Sequence, residues 1–328
     1  MGILEALFSN AKVGIQVSNQ LIKVLLKDKG LFIYPVLMTV ISSLILLVII
    51  VPLILFTKGM FLALGLLSIL FTLIVYYLVV TFVATYFLFA LYISFKNFVD
   101  TGQKMPLGTA LSKAGAYTGL IIKWTIVYTI IRTVVKLIES QFRGIFEMFI
   151  QAIASIGLFL GITFAVPIIY EEHVGPLEAI ERSAKFIINN IGKTFSGIIY
   201  FDVIGFVIKA IGGIFILAAA VMAALDLLNT SVVVSGFTIL SHTSILVAGV
   251  VFLIGVAILI IGDLFTYVTL HLYYLVIYDY VKNSNLPKGM DETLIKSSIH
   301  GTAAKKGNGG GLFQTGGGTS PDMKDFVK

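Results

Sequence analysis

Residues 31–56 read LFIYPVLMTVISSLILLVIIVPLILF and residues 60–95 read MFLALGLLSILFTLIVYYLVVTFVATYFLFALYISF, runs of 26 and 36 residues without a charged side chain. About 20 apolar residues in helix cross the roughly 30 Å of a bilayer's hydrocarbon, whereas a soluble helix shows water a polar face and breaks such runs. The chain is therefore expected to be an all-α polytopic membrane protein. Thr57-Lys58-Gly59 between the runs is a tight connection, so the second span returns antiparallel to the first. At about 1.5 Å per residue the second run measures roughly 54 Å and must tilt or project beyond the bilayer. Pro35 and Pro52 lie near the ends of the first span, where a helix tolerates proline.

Composition agrees. Of 328 residues, 58% are hydrophobic and 12% charged, against about 25% charged in soluble domains, and the mean hydropathy is +1.02. Cysteine is absent, which excludes a disulfide framework, a thiolate metal site and cysteine nucleophilic catalysis. Residues 1–30 show no cleavable signal, so the first span is expected to act as the anchor. Residues 3–27 put Ile3, Leu7, Val13, Val17, Leu21, Val24 and Leu25 at helical spacing among lysines, the pattern of a basic amphipathic helix on a membrane face.

Four further spans are expected, at about 114–138, 148–170, 194–225 and 244–280. The first of these is interrupted by Lys123, Arg132 and Lys136, but its basic side chains can snorkel to the interfaces. Gly157 and Gly161 in the next offer a close helix approach. Residues 283–328, with two Gly-Gly-Gly runs, form a flexible cytoplasmic tail. With six spans, 18 of the 23 basic residues fall on one side, which places both termini in the cytoplasm and the protein in the cell membrane. The span at 114–138 is needed to keep that bias. Short amphipathic stretches at 3–27, about 105–115 and 176–190 precede each pair of spans, a pattern of three surface-helix-plus-hairpin units.

Charges inside spans mark the best functional candidates, since each costs about 2.5–3.5 kcal/mol at mid-helix on insertion scales. These are Asp202 and Lys209 in the fifth span, and Asp263 with His271 in the sixth. Together they could relay protons or bind a polar headgroup; alternatively they pair to fix helix register. His271 is expected near the cytoplasmic surface, and Tyr76, Tyr77, Tyr86, Phe87 and Tyr92 are expected to serve packing or interfacial anchoring. Asn229-Thr230-Ser231 matches a glycosylation acceptor in the expected external loop. No zinc-protease, nucleophile-elbow, phosphate-loop or dinucleotide motif occurs, so neither a cofactor nor a metal is expected, nor an enzyme. The net charge of +6 points to anionic lipid of the cytoplasmic leaflet as a partner, and not to nucleic acid.

Three junctions carry a family resemblance. Leu26-Lys27-Asp28-Lys29-Gly30-Leu31-Phe32-Ile33-Tyr34-Pro35, then Pro167-Ile168-Ile169-Tyr170-Glu171-Glu172 with Gly175-Pro176-Leu177-Glu178-Ala179-Ile180-Glu181-Arg182-Ser183, and finally Tyr278 to Asn283 with Leu286-Pro287-Lys288-Gly289, are the segments concerned. They resemble an uncharacterised family of prokaryotic six-span membrane proteins, related in pattern to the membrane domain attached to some glycerophosphodiester phosphodiesterases. The resemblance covers about residues 15–295, implies architecture and supplies no catalytic residue. The expected function is a non-enzymatic membrane organiser that binds lipid or a membrane partner; the alternative is a small transporter using Asp202, Lys209 and Asp263.

The lack of cysteine makes topology testable. Single cysteines at Lys58, Gly102, Gly144, Asn190, Asn229 and Gly307 should alternate in labelling by an impermeant thiol reagent. Labelling of Gly102 or Asn190 from outside would overturn the six-span arrangement.

Overall fold

The computed structural model describes residues 18–56, 64–141, 161–227, 232–234, 237–240, 245–283, 285–287 and 290. After a helical segment at 18–25 and a 3-10 turn, the elements are α1 (Ile33–Phe56), α2 (Leu64–Thr101), α3 (Leu107–Gly115), α4 (Thr118–Gln141), α5 (Ala165–Glu172), α6 (Pro176–Leu227), the strands β1 (Val232–Val234) and β2 (Phe237–Leu240), and α7 (Ile245–Asn283). Among the described residues five helices are long and apolar enough to cross a membrane, with windows Lys29–Ile49, Thr72–Thr101, Thr118–Lys136, Ile198–Leu227 and Ile245–Asn283. The chain is an all-α polytopic protein, and the segment with Lys123 and Arg132 is one of its candidate spans. Most of the expected fourth span lies outside the described residues, as do Asn229, residues 1–17 and the tail beyond Met290.

Two expectations are corrected. The surface helix at 176–190 and the fifth span are one helix, α6, of 52 residues. Asn189, Asn190 and Gly192 are poor helix formers, but no proline follows, and continuing the helix keeps every backbone group paired as the chain enters lipid. The end of the fourth span is also not continuous: a turn at Thr163-Phe164 precedes α5. Pro167 explains it, since a proline cannot donate to the carbonyl four residues earlier and its ring clashes there. The Phe164 amide donates instead to Ser183 Oγ on α6, at 3.1 Å. Between α6 and α7 sits a short antiparallel ribbon, β1 with β2, made by the β-branched run Val232-Val233-Val234.

Burial is uneven along the bundle. Every residue from Phe87 to Phe95 of α2 is buried, and α7 is buried almost throughout from Val268 to Tyr280. Around them pack Leu21, Leu25, Leu31 and Tyr34 from the first junction, Ile121 and Trp124 from α4, and Phe164, Ile168 and Ile169 around α5. The segment at 18–25 thus inserts Leu21, Val24 and Leu25 into protein and leaves Lys23 exposed, as is Lys27 in the turn that follows. Side-chain ties fix this junction end: Tyr86 donates to the Leu111 carbonyl at 2.8 Å and Tyr200 to Asn19 Oδ1 at 2.9 Å. Toward the far end the helices expose Val48, Leu73, Leu217 and Leu246, surface suited to hydrocarbon.

The α6–α7 hairpin is held by small residues at seven-residue spacing. Gly205, Gly212 and Ala219 on α6 run antiparallel to Gly262, Gly255 and Ala248 on α7. A Cβ at Gly212 would stand 2.8 Å from the Gly255 carbonyl oxygen, and one at Gly255 equally close to that of Gly212. The backbones therefore touch, the close approach that drives helix association where lipid removes the hydrophobic incentive.

Candidate functional site

The four charged or titratable residues singled out in the sequence do not form one cluster. Lys209 Nζ and Asp263 Oδ1 meet at 3.2 Å across the hairpin, with side chains 38% and 69% exposed. The glycine register explains the meeting: Lys209 lies one turn beyond Gly205, and the stem of its side chain lies over Gly262, next to Asp263. Asp202 is exposed on the same helix, seven residues from Lys209 and so about 10.5 Å along the axis. His271 is partly buried on α7. Its Nδ1–H donates to the Tyr267 carbonyl at 2.8 Å, one turn back on its own helix, which sets the tautomer. Its ring lies 4.3 Å from that of Tyr267 and 6.1 Å from that of Tyr274.

A second constellation, not singled out from sequence, assembles at the junction end. Lys96 near the end of α2 reaches both oxygens of Glu171 at 2.6 Å and stands 3.9 Å from Asp279 of α7. Glu172, at the end of α5, receives Arg182, the Tyr278 hydroxyl and Lys282, the last at 2.7 Å. Arg182 also bonds Glu178 one turn back, at 2.5 Å, and Asp279 accepts from Asn283 at 2.6 Å and Asn285 at 3.0 Å. The acceptors are nearly enclosed: the side chains of Glu171, Glu172 and Asp279 are only 9%, 11% and 11% exposed. Aromatic rings wall the site, with Lys96 6.0 Å from the centre of the Tyr170 ring and Lys282 5.9 Å from that of Tyr278.

The geometry at α5 makes this arrangement. His173 takes the left-handed conformation, φ 55°, that ends the helix, and its amide donates to the Ile169 carbonyl at 3.0 Å. Its ring stacks on Tyr117 at 5.2 Å, and Gly175-Pro176 then starts α6. The reversal brings Arg182 back over Glu172 only ten residues later.

Lys96, Arg182 and Lys282 against Glu171, Glu172 and Asp279 make three positive and three negative charges, so this core of the constellation is neutral. The adjoining cavity, between Phe95, Lys96, Val99, Leu275, Asp279 and Pro287, has a volume of about 10 Å³, room for roughly one water molecule. No group of three His, Asp or Glu side chains suited to a metal occurs among the described residues. Chemically the arrangement is a lock: charge-assisted bonds from α2, α6 and α7 converge on the carboxylates of α5 and α7. At the first junction Asp28, 3% exposed, accepts from the Gly30 amide at 3.1 Å and lies 3.8 Å from Lys104.

All three resemblance segments contribute to this end of the molecule, through Asp28, Leu31 and Tyr34, through Tyr170, Glu171, Glu172 and Arg182, and through Tyr278, Asp279 and Lys282. The signal was present in sequence as charges directly flanking spans. No protein-family model, curated protein or solved structure matches the chain.

Proposed function

We propose that this is a non-enzymatic multi-pass protein of the cell membrane, with both termini cytoplasmic, that acts by binding lipid or a membrane partner along its flanks. The observation that carries the reading is the division of its polar groups. Those at the junction end neutralise one another around a cavity of water size, whereas the intramembrane pair Lys209–Asp263 and long apolar helix faces turn outward. A protein built this way presents its recognition surfaces sideways, to the bilayer.

The basic junctions support contact with an anionic leaflet. Lys23, Lys27, Lys29, Lys113 and Lys123 are exposed where the described helices begin and end, the placement of side chains that attract acidic headgroups. A permease using Asp202, Lys209 and Asp263 is the second reading, and the separation of Asp202 from the ion pair counts against it. It requires a shared aqueous path to all three.

The test is capture of the protein from native membrane in a lipid-retaining polymer, with mass spectrometry of bound lipids and proteins together. Enrichment of acidic phospholipid or of a discrete protein over the bulk membrane is expected. A profile indistinguishable from bulk would overturn the proposal.

A further inference from the structure

We infer that the face of the α6–α7 hairpin bearing Lys209 and Asp263 is a dimer interface, and that its occupant is a second copy of this chain. The proposal names a partner for the lateral binding argued above and rests on that reading.

The starting point is an ion pair in an expensive place. Asp263 is preceded on α7 by 18 uncharged residues from Ile245, about 27 Å of helix, and is separated from Asp279 by about 24 Å. It therefore stands near the middle of the 39-residue helix, far from either end. A charge pair on an apolar candidate span is favourable when protein or water covers it, yet the Asp263 side chain is 69% exposed.

Charge complementarity selects the occupant. Because Lys209 and Asp263 are bonded, they share one depth in the membrane. A two-fold axis along the bilayer normal then sets Lys209 of one copy opposite Asp263 of the other, and the reverse, giving a closed ring of four alternating charges. Isologous contacts of this kind need a self-complementary patch, and an ion pair at one depth is such a patch. An unrelated partner would need both charges in the right order at the same level.

The surroundings allow the approach. Gly249, Val256 and Asp263 recur every seven residues along one face of α7, with Lys209 and Gly213 beside them on α6. A Cβ at Gly213 or Gly249 would meet nothing within 4 Å, unlike those at Gly212 and Gly255. The hairpin thus has two glycine faces, one filled by its own partner helix and one open. An open glycine face beside an exposed charge pair fits a second hairpin closely packed on it.

The chain's lack of cysteine supplies the test. Gly249→Cys and Val256→Cys, each alone, are oxidised in intact membranes at low expression, with Ile261→Cys on the opposite face as control. Cross-linked dimer several-fold above the control is expected; equal yields from both faces, or none, would overturn the proposal. Specificity is read by co-expressing two differently tagged chains that both carry Gly249→Cys, one with Lys209→Ala and one with Asp263→Ala. Each homodimer then lacks one sign of charge, while the mixed dimer keeps one intermolecular pair. Mixed dimer several-fold above either homodimer is expected, and random partition would show that the pair serves only within one chain. Cross-linking reports self-association whether or not lipid capture succeeds, so the two proposals can fail separately.

Discussion

Gly212→Val and Gly255→Val each unseat the α6–α7 hairpin, with a loss of about 3 kcal/mol or more, the upper end for overpacking. The reason is what the new side chain meets. At both positions a Cβ stands 2.8 Å from a backbone carbonyl oxygen of the opposite helix, and at Gly255 also 3.0 Å from the Ile216 amide. A flexible side chain could rotate away; backbone can yield only if the helices separate, and that separation loosens the packing around Gly205 and Gly262 as well. Thermal unfolding of the purified protein in mild detergent measures the effect. The control lies on α4: Gly119→Ala has open space, and replacing a helical glycine by alanine gains up to roughly 0.5–1 kcal/mol. A similar loss at Gly212 and Gly119 would show that general glycine flexibility matters, and that the seven-residue seam does not.

That contrast also shows how far the sequence could be read. The spans were legible because bilayer thickness sets a length that hydropathy reports directly, and α1, α2, α4, α7 and the apolar part of α6, Ile198–Leu227, fall close to the expected stretches. The richness in Gly and Ala after Gly212 was visible too, but its meaning depends on the register between two helices, which no single helix contains. The same register decides why Lys209 bonds Asp263 and Asp202 does not join them. Continuity of α6 was missed because a change from polar to apolar composition looks like a boundary, while the backbone's need for hydrogen bonds in lipid favours none. The junction lock was hidden for another reason. Its bonds join residues 75 and 106 positions apart in sequence, and charges flanking spans are ordinarily solvated and orienting. Their burial became visible only once the turn at Pro167 and the reversal at His173 had folded α5 against α2 and α7.

Glu172→Ala is expected to cost roughly 2–3 kcal/mol, somewhat less than the ~3–5 kcal/mol of breaking a fully buried pair. Three groups lose their acceptor at once: Arg182, Lys282 and the Tyr278 hydroxyl. Both cations keep partial access to water, being 42% and 41% exposed, which limits the penalty below the buried case. Arg182 retains Glu178, but Lys282 is left beside Arg182 with no carboxylate at ion-pair distance among the described residues, so like charges face each other where a carboxylate had separated them. Glu172→Gln separates the contributions. The amide restores shape and can still accept from Tyr278, so its cost should fall between wild type and alanine if charge matters, and should match wild type if only packing does. Glu181→Ala sets the baseline, because Glu181 and Lys185 are 65% and 70% exposed and their 2.6 Å pair is a surface one, which solvent screens and which contributes little. Both effects are read by thermal unfolding at low and high salt. The Glu181 difference should fade on adding salt, while the Glu172 difference should persist, because enclosed charges are screened far less than exposed ones. Equal and salt-sensitive losses at the two sites would mean that the junction constellation is solvated surface charge, and the lock would have to be abandoned.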